Sequence, residues 1–152
     1  MNIFNTPIGW LSIEEENAQL IDVEFRQRKT SIKPSPTVLE KKVEQQLNQY
    51  FEGKNKDFNL PLNLSGTAFQ QRVWKALQKI PYGQVKTYGQ LAKELNSSAR
   101  AVGNACRANP VPIVVPCHRI VAANGIGGFA GKTDGPVVER KRWLLKHEGV
   151  KY

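Results

Sequence analysis

A proline-rich stretch between residues 109 and 120 constrains the fold of this chain more than any other segment. Its sequence, Asn-Pro-Val-Pro-Ile-Val-Val-Pro-Cys-His-Arg-Ile, contains three prolines, which fix the backbone φ angle and remove amide donors. The stretch therefore cannot be helical, and we expect an extended rod with a short buried strand over 113–115. It ends in an adjacent cysteine and histidine, Cys117 and His118.

Cys117 and His118 together permit nucleophilic chemistry. The thiolate is the nucleophilic form of cysteine, and a neighbouring histidine can take the thiol proton. The alternative is a small hydrophobic core cysteine beside a histidine with satisfied hydrogen bonds, which is the commoner case for an isolated pair. The surrounding sequence must decide between these interpretations.

Charge is distributed unevenly along the chain, whose 152 residues carry a net charge of +9. Residues 1–64 contain 8 Lys/Arg and 9 Asp/Glu, a net charge of −1, whereas residues 65–152 contain 14 and 4, a net charge of +10. This asymmetry indicates a polyanionic partner such as nucleic acid. Charge alone does not separate that partner from a basic surface that only aids solubility.

The N-terminal half has the pattern of a small sheet with one helix. The β-rich runs 8–13 and 20–25 predict two antiparallel strands of a hairpin. A capping box at Thr37 predicts the start of a helix, and Gly53 its end. The apolar stripe of this helix is Leu39, Val43, Leu47 and Tyr50. Residues 58–64 alternate around a proline and predict an edge strand.

The C-terminal half has the pattern of a helical domain. Capping boxes at Thr67 and Thr87 predict two helix starts, and a further helix is expected over 99–108 after a tight turn. A short helix, a turn and an alanine-rich second helix are typical of a helix-turn-helix. Arg100 and Arg107 share one face of the second helix, which favours contact with nucleic acid over a plain helical corner.

The last helix is expected to begin at Pro136, after a glycine-rich loop over 125–135, and to end at Gly149. Glu148 lies near its C-terminus, where the helix dipole disfavours a carboxylate. It is either an exposed charge of little consequence or the anionic partner of a nearby group such as His118.

Several motifs occur in a fixed order. Pro-Cys-His-Arg-Ile at 116–120 follows Arg-Ala-Val-Gly at 100–103 and Asn-Pro at 109–110, and Trp-Leu-Leu-Lys-His-Glu-Gly occupies 143–149. In these motifs the chain resembles the O6-alkylguanine-DNA alkyltransferases over most of its C-terminal half. The N-terminal half matches more loosely, at Thr-Pro-Ile-Gly-Trp over 6–10.

With the element pattern, the resemblance implies an α+β fold. We expect a small N-terminal antiparallel sheet with a helix, followed by a C-terminal helical domain of the winged helix-turn-helix kind. Residues 1–64 would form a ribonuclease-H-like supporting domain, and residues 65–152 the DNA-binding and alkyl-transfer domain.

The resemblance also implies a reaction, in which the protein takes the alkyl group from O6 of guanine in DNA and keeps it on Cys117; it leaves open whether O4-alkylthymine is also repaired. His118 would take the thiol proton through a water, and Glu148 would orient the histidine, as in a serine-protease triad. Asn109 would brace the turn at the thiolate, and Tyr88 would hydrogen-bond to the departing guanine. No group here could hydrolyse the thioether product, so each molecule would act once.

The alkylated base is inaccessible inside a duplex and must be flipped out, and Arg100 would fill the gap that it leaves. The expected DNA-binding residues are Tyr88, Arg100, Gly103, Asn104 and Arg107. The expected substrate-pocket residues are Val114, Val115, Phe129, Ala130 and Gly131.

The chain departs from the family pattern in the pocket loop. Phe129 stands where tyrosine is common, Ala130 stands where a serine often hydrogen-bonds O6, and the segment 131–138 is longer than in several relatives. We expect these departures to affect substrate preference and pocket size, and not the displacement chemistry.

The sequence predicts no cofactor and no metal site. Two cysteines and two histidines show no ligand-like spacing, and residues 1–64, which bind zinc in some relatives, contain neither residue type. Cys106 is expected to be a small buried helix residue without a disulfide. No apolar run suits a membrane span and no secretory signal is visible, so we expect a cytoplasmic protein. The sequence shows no sign of an oligomer interface, so we expect a monomer. The resemblance implies that its partner is double-stranded DNA containing O6-alkylguanine.

Three other interpretations make different predictions. A lesion-binding relative without transfer activity would carry tryptophan in place of Cys117. A plain helix-turn-helix protein with a structural cysteine would bind DNA normally after Cys117→Ser, with no reaction to lose. A Cys-His hydrolase would turn over small acyl substrates, and would leave the charge of the basic half and Arg100 without a purpose.

Overall fold

The fold comes from a computed structural model, which describes residues 2–26, 36–127 and 135–151. The chain divides into two compact units, Met1–Ser65 and Gly66–Tyr152. None of the helices in these described ranges is long and apolar enough to cross a membrane.

The N-terminal unit is built on a three-stranded antiparallel sheet in the order β1-β2-β3. Its strands are β1 (Asn2–Thr6), β2 (Gly9–Glu16) and β3 (Gln19–Arg26). The predicted hairpin is confirmed, but its turn is only Asn17-Ala18. Both residues have positive φ, 52° and 58°, as the two-residue turns that match strand twist require. The first strand was not predicted.

One helix, α1 (Val38–Phe51), packs on this sheet against β1 and β2. The capping box predicted at Thr37 is present, with Thr37 Oγ1 accepting from the Glu40 amide and Glu40 Oε1 accepting from the Thr37 amide. The whole predicted apolar stripe is buried.

The predicted edge strand over 58–64 is wrong. The segment is irregular and makes only an isolated parallel bridge, between Leu62 and Leu20. The Leu20 amide donates to Pro61 O at 2.8 Å, and the Asn63 amide donates to Leu20 O at 3.0 Å. Because Pro61 has no amide to donate, the backbone pairs locally and does not continue as a ladder.

The C-terminal unit is mainly helical. Its helices are α2 (Ala68–Gln78), α3 (Tyr88–Glu94), α4 (Ala99–Arg107) and α5 (Pro136–His147). The capping boxes predicted at Thr67 and Thr87 are both present, and Ser98 Oγ caps α4 by accepting from the Ala101 amide. The pair α3 and α4 packs together as the predicted helix-turn-helix requires, and α2 packs against α4.

Trp74 joins α2 to α4. Its side chain is buried, and Nε1 donates to Ala105 O at 2.9 Å. Ala105 O lies in the last turn of α4, where carbonyls have no intrahelical amide to accept from. Gly66 allows the chain to pass over the ring, since a Cβ there would lie 2.5 Å from Trp74 Cη2.

A short parallel pair of strands brings distant segments of the C-terminal unit together. β4 (Lys86–Thr87) pairs with β5 (Ile120–Val121), with Lys86 opposite Ile120 and Thr87 opposite Val121. β4 leads directly into α3 at Tyr88, and β5 follows the 3₁₀ turn at Cys117–Arg119. The pairing therefore brings the start of α3 beside the Cys-His pair.

The prediction of an extended, non-helical rod over 109–120, with its strand at 113–115, is wrong, and Cys117–Arg119 forms a 3₁₀ turn. The Val115 amide donates to Val111 O at 2.9 Å, so the chain folds back on itself, and Ile113 has a φ of 74°. A β-branched residue in this region is strained by about 1–3 kcal/mol. An apolar run bounded by prolines does not distinguish a buried strand from a buried turn.

The α+β fold class is confirmed: a small antiparallel sheet with a helix precedes a helical unit. Cys106 and Cys117 are both free, as expected. Cys106 is only partly buried on α4, and not fully buried as the sequence predicted.

Replacing Trp74 with phenylalanine should lower the free energy of unfolding by about 2–3 kcal/mol, because Ala105 O loses its donor and the smaller ring leaves a void. Urea unfolding followed by circular dichroism would measure the change. Trp10→Phe is the control, because Trp10 lies partly exposed on β2. Equal effects of the two substitutions would contradict the assigned role of Trp74.

Candidate active site

Asn109 organises the turn that carries Cys117. Its Oδ1 accepts from the Val111 amide at 3.0 Å, and its Nδ2 donates to Val115 O at 2.8 Å. Val115 O also accepts from the Cys117 amide at 2.8 Å, which closes a tight turn at Pro116. The prolines cannot supply amide donors here, so an asparagine side chain completes the hydrogen bonding.

His118 and Glu148, thirty residues apart in sequence, meet in the interior. His118 Nε2 lies 2.6 Å from Glu148 Oε2, and both side chains are fully buried. Glu148 caps the C-terminus of α5, where the helix dipole disfavours its charge. Its burial against His118 shows that it is a paired charge and not an exposed one.

Arg119 holds the same carboxylate from a second side. Arg119 Nε donates to Glu148 Oε1 at 2.9 Å, and Nη2 donates to Glu148 Oε2 at 3.2 Å. Nη1 donates to Ile80 O at 2.7 Å, and the Gly83 amide adds a bond to Glu148 Oε1 at 3.2 Å. Each carboxylate oxygen thus accepts at least two hydrogen bonds from the described residues.

These contacts set the protonation of the pair. Burial alone would raise the pKa of Glu148, but the hydrogen bonds and charges of His118 and Arg119 outweigh it and hold that pKa well below its usual range. Burial lowers the pKa of His118, against the pull of Glu148 and with the help of Arg119. A neutral His118 that donates from Nε2 to Glu148 leaves Nδ1 as its basic atom.

Nδ1 of His118 is the basic atom that the described residues leave open. It is buried and has no hydrogen-bond partner among residues 2–26, 36–127 and 135–151.

Burial raises the pKa of the adjacent Cys117 thiol, opposed by a hydrogen bond from Asn109 and the charge of Lys141. A buried thiol of this kind needs a base to become a thiolate.

Tyr88 lies in the same site, beside two glycines. A Cβ on Gly127 would lie 3.1 Å from Tyr88 Cε2, and one on Gly103 would lie 3.9 Å from Tyr88 Cε1. Gly127 also has a φ of 77°, so any side chain there is strained as well as crowded. Burial raises the pKa of Tyr88, with further contributions from Cys106 and Cys117, so the hydroxyl stays protonated and can donate.

Lys141 is a buried cation at this site. Its side chain is fully buried, and Nζ donates to Ile120 O at 2.6 Å and lies 5.8 Å from the centre of the Tyr88 ring. Burial lowers its pKa to about 8, and Cys117 and Cys106 pull it upward. At neutral pH it stays mostly charged and favours a negative charge on the thiol.

The outer face of α4 is exposed and basic. Arg100, Asn104 and Arg107 are all exposed, whereas Val102 and Ala105 are buried on the inner face. The residues predicted to bind DNA thus lie on the outer face, apart from Gly103 and Tyr88, which are partly buried and lie near each other.

The structure brings together the predicted residues Asn109, Cys117, His118 and Glu148. Tyr88 directly follows β4, whose pairing with β5 places it beside the turn of Cys117 and His118. Val114 and Val115 are buried in the turn that precedes the cysteine. The predicted pocket residues Phe129, Ala130 and Gly131 lie outside the described residues.

The sequence analysis missed Arg119 and Lys141. Arg119 follows His118 directly, and its place in the Pro-Cys-His-Arg motif was a signal that could have marked it. Lys141 lies in the basic run 140–142 on α5, where composition suggests a solvated face, so no sequence signal marked it. Within the described ranges, no group of three or more His, Cys, Asp or Glu could hold a metal ion.

Comparison with known families assigns both halves of the chain. The family model for the DNA-binding domain of 6-O-methylguanine DNA methyltransferase matches residues 68–150. The model for the ribonuclease-like domain of the same proteins matches residues 1–64.

Individual relatives cover nearly the full length. The chain is 39% identical over 160 residues to the constitutive methylated-DNA–protein-cysteine methyltransferase of Bacillus subtilis, covering 97% of this chain and 93% of that protein. It is 39% identical to the methylated-DNA–protein-cysteine methyltransferase of Methanosarcina acetivorans, covering 97% and 96%. Among solved structures, Mycobacterium tuberculosis OGT in complex with DNA superposes with a TM-score of 0.83 at 39% identity, covering 97% and 91%.

Replacing Glu148 with glutamine should destabilise the fold by about 3–5 kcal/mol at neutral pH, because Arg119 stays buried without its counter-charge. The folded-state pKa of Glu148 is depressed, so its contribution is complete above the ordinary carboxyl pKa and is lost as pH falls below that value. The difference in unfolding free energy between the wild type and Glu148→Gln should therefore begin to narrow at about pH 4 and shrink further at lower pH.

Urea unfolding at both pH values measures this difference. Glu94→Gln is the matched control, because Glu94 pairs with Lys86 at a half-exposed surface position and should change stability by less than about 1 kcal/mol. A Glu148→Gln effect as small as that of the control would show that the buried carboxylate does not stabilise the fold.

Proposed function

The chain belongs to the 6-O-methylguanine DNA methyltransferase family, and from this premise we propose that Cys117 accepts the alkyl group and that His118 and Glu148 activate it. The protein is a DNA-repair enzyme, a methylated-DNA–protein-cysteine methyltransferase, and DNA is its partner. The proposal adds the residues that perform the transfer and the form of its substrate, O6-alkylguanine in double-stranded DNA.

The contact between His118 Nε2 and Glu148 Oε2 carries this proposal. With Nε2–H directed at the carboxylate, Nδ1 is left to accept the Cys117 proton through a water. Glu148 stays ionised and stabilises the imidazolium that forms during transfer. The buried neutral His118 is in the right state to act as a base at neutral pH.

The transfer is a displacement at the alkyl carbon. The Cys117 proton goes to His118, the S–C bond forms as the bond between the alkyl carbon and O6 breaks, and the bonding electron pair stays on guanine. Tyr88 remains protonated at neutral pH and can hydrogen-bond to the departing guanine, where negative charge develops. Asn109 and the charge of Lys141 favour the thiolate before attack.

The product on Cys117 is a thioether, and none of these side chains can hydrolyse it. We therefore propose that each molecule transfers one alkyl group. The base reaches the buried cysteine by leaving the duplex stack, because the target carbon is inaccessible in paired DNA.

The outer face of α4 is proposed to meet DNA. Arg100, Asn104 and Arg107 are exposed on it, and the unit that contains it carries all of the excess positive charge. Arg100 would enter the gap left by the flipped base, while Arg107 and Asn104 would contact the backbone. Gly103 and Tyr88 would approach the flipped nucleotide from the inner side.

The remaining expectations stay predictions. They are a supporting role for residues 1–64, a monomeric state, a cytoplasmic location, and a substrate pocket formed by Val114 and Val115 with the loop 129–131. We expect the range of alkyl groups accepted to depend on that loop.

Mixing the protein with a duplex that contains one O6-methylguanine should add the mass of one methyl group to it. Peptide mapping should locate that methyl on Cys117, and Cys117→Ser should gain none. Cys106→Ser is the matched control and should react like the wild type, because burial raises the pKa of Cys106 to about 12 and keeps it a thiol.

With the duplex in excess, no more than one methyl should appear on each protein molecule, and the guanine product should not exceed the protein. Binding without a mass gain would identify a lesion-binding module. Release of product beyond one equivalent would refute single use, and turnover of small acyl esters would favour the hydrolase interpretation.

Replacing Arg100 with alanine should slow methyl transfer from a duplex by about tenfold or more, because the gap left by the flipped base is no longer filled. Transfer from a single-stranded oligonucleotide should change much less, since no stack has to be opened. Single-turnover rates with both substrates measure this ratio. Lys41→Ala on α1 is the charge-matched control, and an equal loss on both substrates would contradict a base-flipping role.

A further inference from the structure

The contacts of Arg119 indicate a role in the candidate active site as well as in the core. Its side chain is buried, and three of its nitrogens are hydrogen-bonded, two to Glu148 and one to Ile80 O. The guanidinium also lies over the ring of Tyr82, 5.8 Å from its centre. A planar guanidinium that is hydrogen-bonded through three nitrogens and lies over an aromatic ring has little freedom to rotate.

The fork fixes the plane of the Glu148 carboxylate. A carboxylate held through one oxygen can turn about its terminal bond, but here Arg119 contacts both oxygens and the Gly83 amide contacts Oε1. The lone pair of Oε2 that accepts from His118 Nε2 therefore keeps one direction. Because the imidazole is rigid, the direction of its Nε2 bond also decides where Nδ1 points.

Arg119 and His118 share one carboxylate oxygen, Oε2. The positive charge of Arg119 acts against protonation of His118, while Glu148 favours it. Among the described residues, Lys141 from α5 also lowers the pKa of His118, and the Glu148 charge raises the pKa of Tyr82 before β4. The buried residues of α2, which also packs here, are apolar: Val73, Trp74 and Leu77.

We propose that Arg119 is a positioning residue for alkyl transfer, which aligns His118 through the Glu148 carboxylate and keeps the histidine available as a base. The inference rests on the proposed roles of Cys117 and His118. A lysine could supply the charge of Arg119 but not its bidentate geometry, so the two contributions can be separated.

The test measures the single-turnover rate of methyl transfer against pH for wild type, Arg119→Lys and Arg119→Gln. Arg119→Lys should be slower by about tenfold at every pH, because the carboxylate loses its two-point support. Arg119→Gln should be slower by about a hundredfold, the cost of misplacing a catalytic group.

The acid limb of the pH profile separates positioning from a merely structural role. Without the guanidinium charge the pKa of His118 rises, so Arg119→Gln should lose activity at a higher pH than wild type. Arg119→Lys keeps the charge and should keep the acid limb near its wild-type position. Arg142→Gln is the matched control, because Arg142 pairs with Glu139 at the surface of α5 and should leave rate and profile unchanged.

Circular dichroism and DNA binding would establish that each variant is folded. If Arg119→Gln does not fold, Arg119→Lys carries the test, and a wild-type rate for it would overturn the proposal. A folded Arg119→Gln variant whose acid limb stays at the wild-type pH would also overturn it. Failure of the wild-type protein to take up methyl would instead overturn the proposed function itself, so the two outcomes are distinguishable.

Discussion

The C-terminal unit depends on one buried carboxylate, that of Glu148. It ends α5 at a position where the helix dipole opposes it, and it is stable there because His118, Arg119 and the Gly83 amide donate to it. These donors come from the turn after Cys117 and from the segment that follows α2. The Glu148 carboxylate thus connects α5 to the turn that carries Cys117 and His118 and to the segment before β4. Removing either Glu148 or Arg119 would leave the other charge buried without this partner.

Local signals in the sequence predicted local structure well. The three capping boxes at Thr37, Thr67 and Thr87 each marked a true helix start, because their hydrogen bonds lie within four residues. Residues 58–64 and 113–115 were predicted wrongly as strands, since an apolar pattern near a proline does not reveal which partner the backbone finds. The return of Val115 onto Val111 depends on the Asn109 side chain, which no periodicity encodes.

The site was predictable to the extent that its residues lie in a motif. Cys117 and His118 are adjacent in sequence, and Glu148 drew attention because a carboxylate is unexpected at a helix C-terminus. Arg119 and Lys141 were missed, because an arginine or lysine in a basic half of the chain is expected to face solvent. Only the fold shows that both are buried, and that one contacts Glu148 and the other Ile120 O.

Helix α4 links the proposed DNA-binding surface to the neighbourhood of the proposed reactive centre. The outer side of α4 exposes Arg100 and Arg107, while its inner side is fixed to α2 by the Trp74 bond to Ala105 O. Gly103 lies near the Tyr88 ring, and β4 brings that ring beside the turn of Cys117. A side chain at position 103 would reach the Tyr88 ring, since a Cβ there would lie 3.9 Å from Cε1, and the glycine therefore keeps the space between α4 and Tyr88 open.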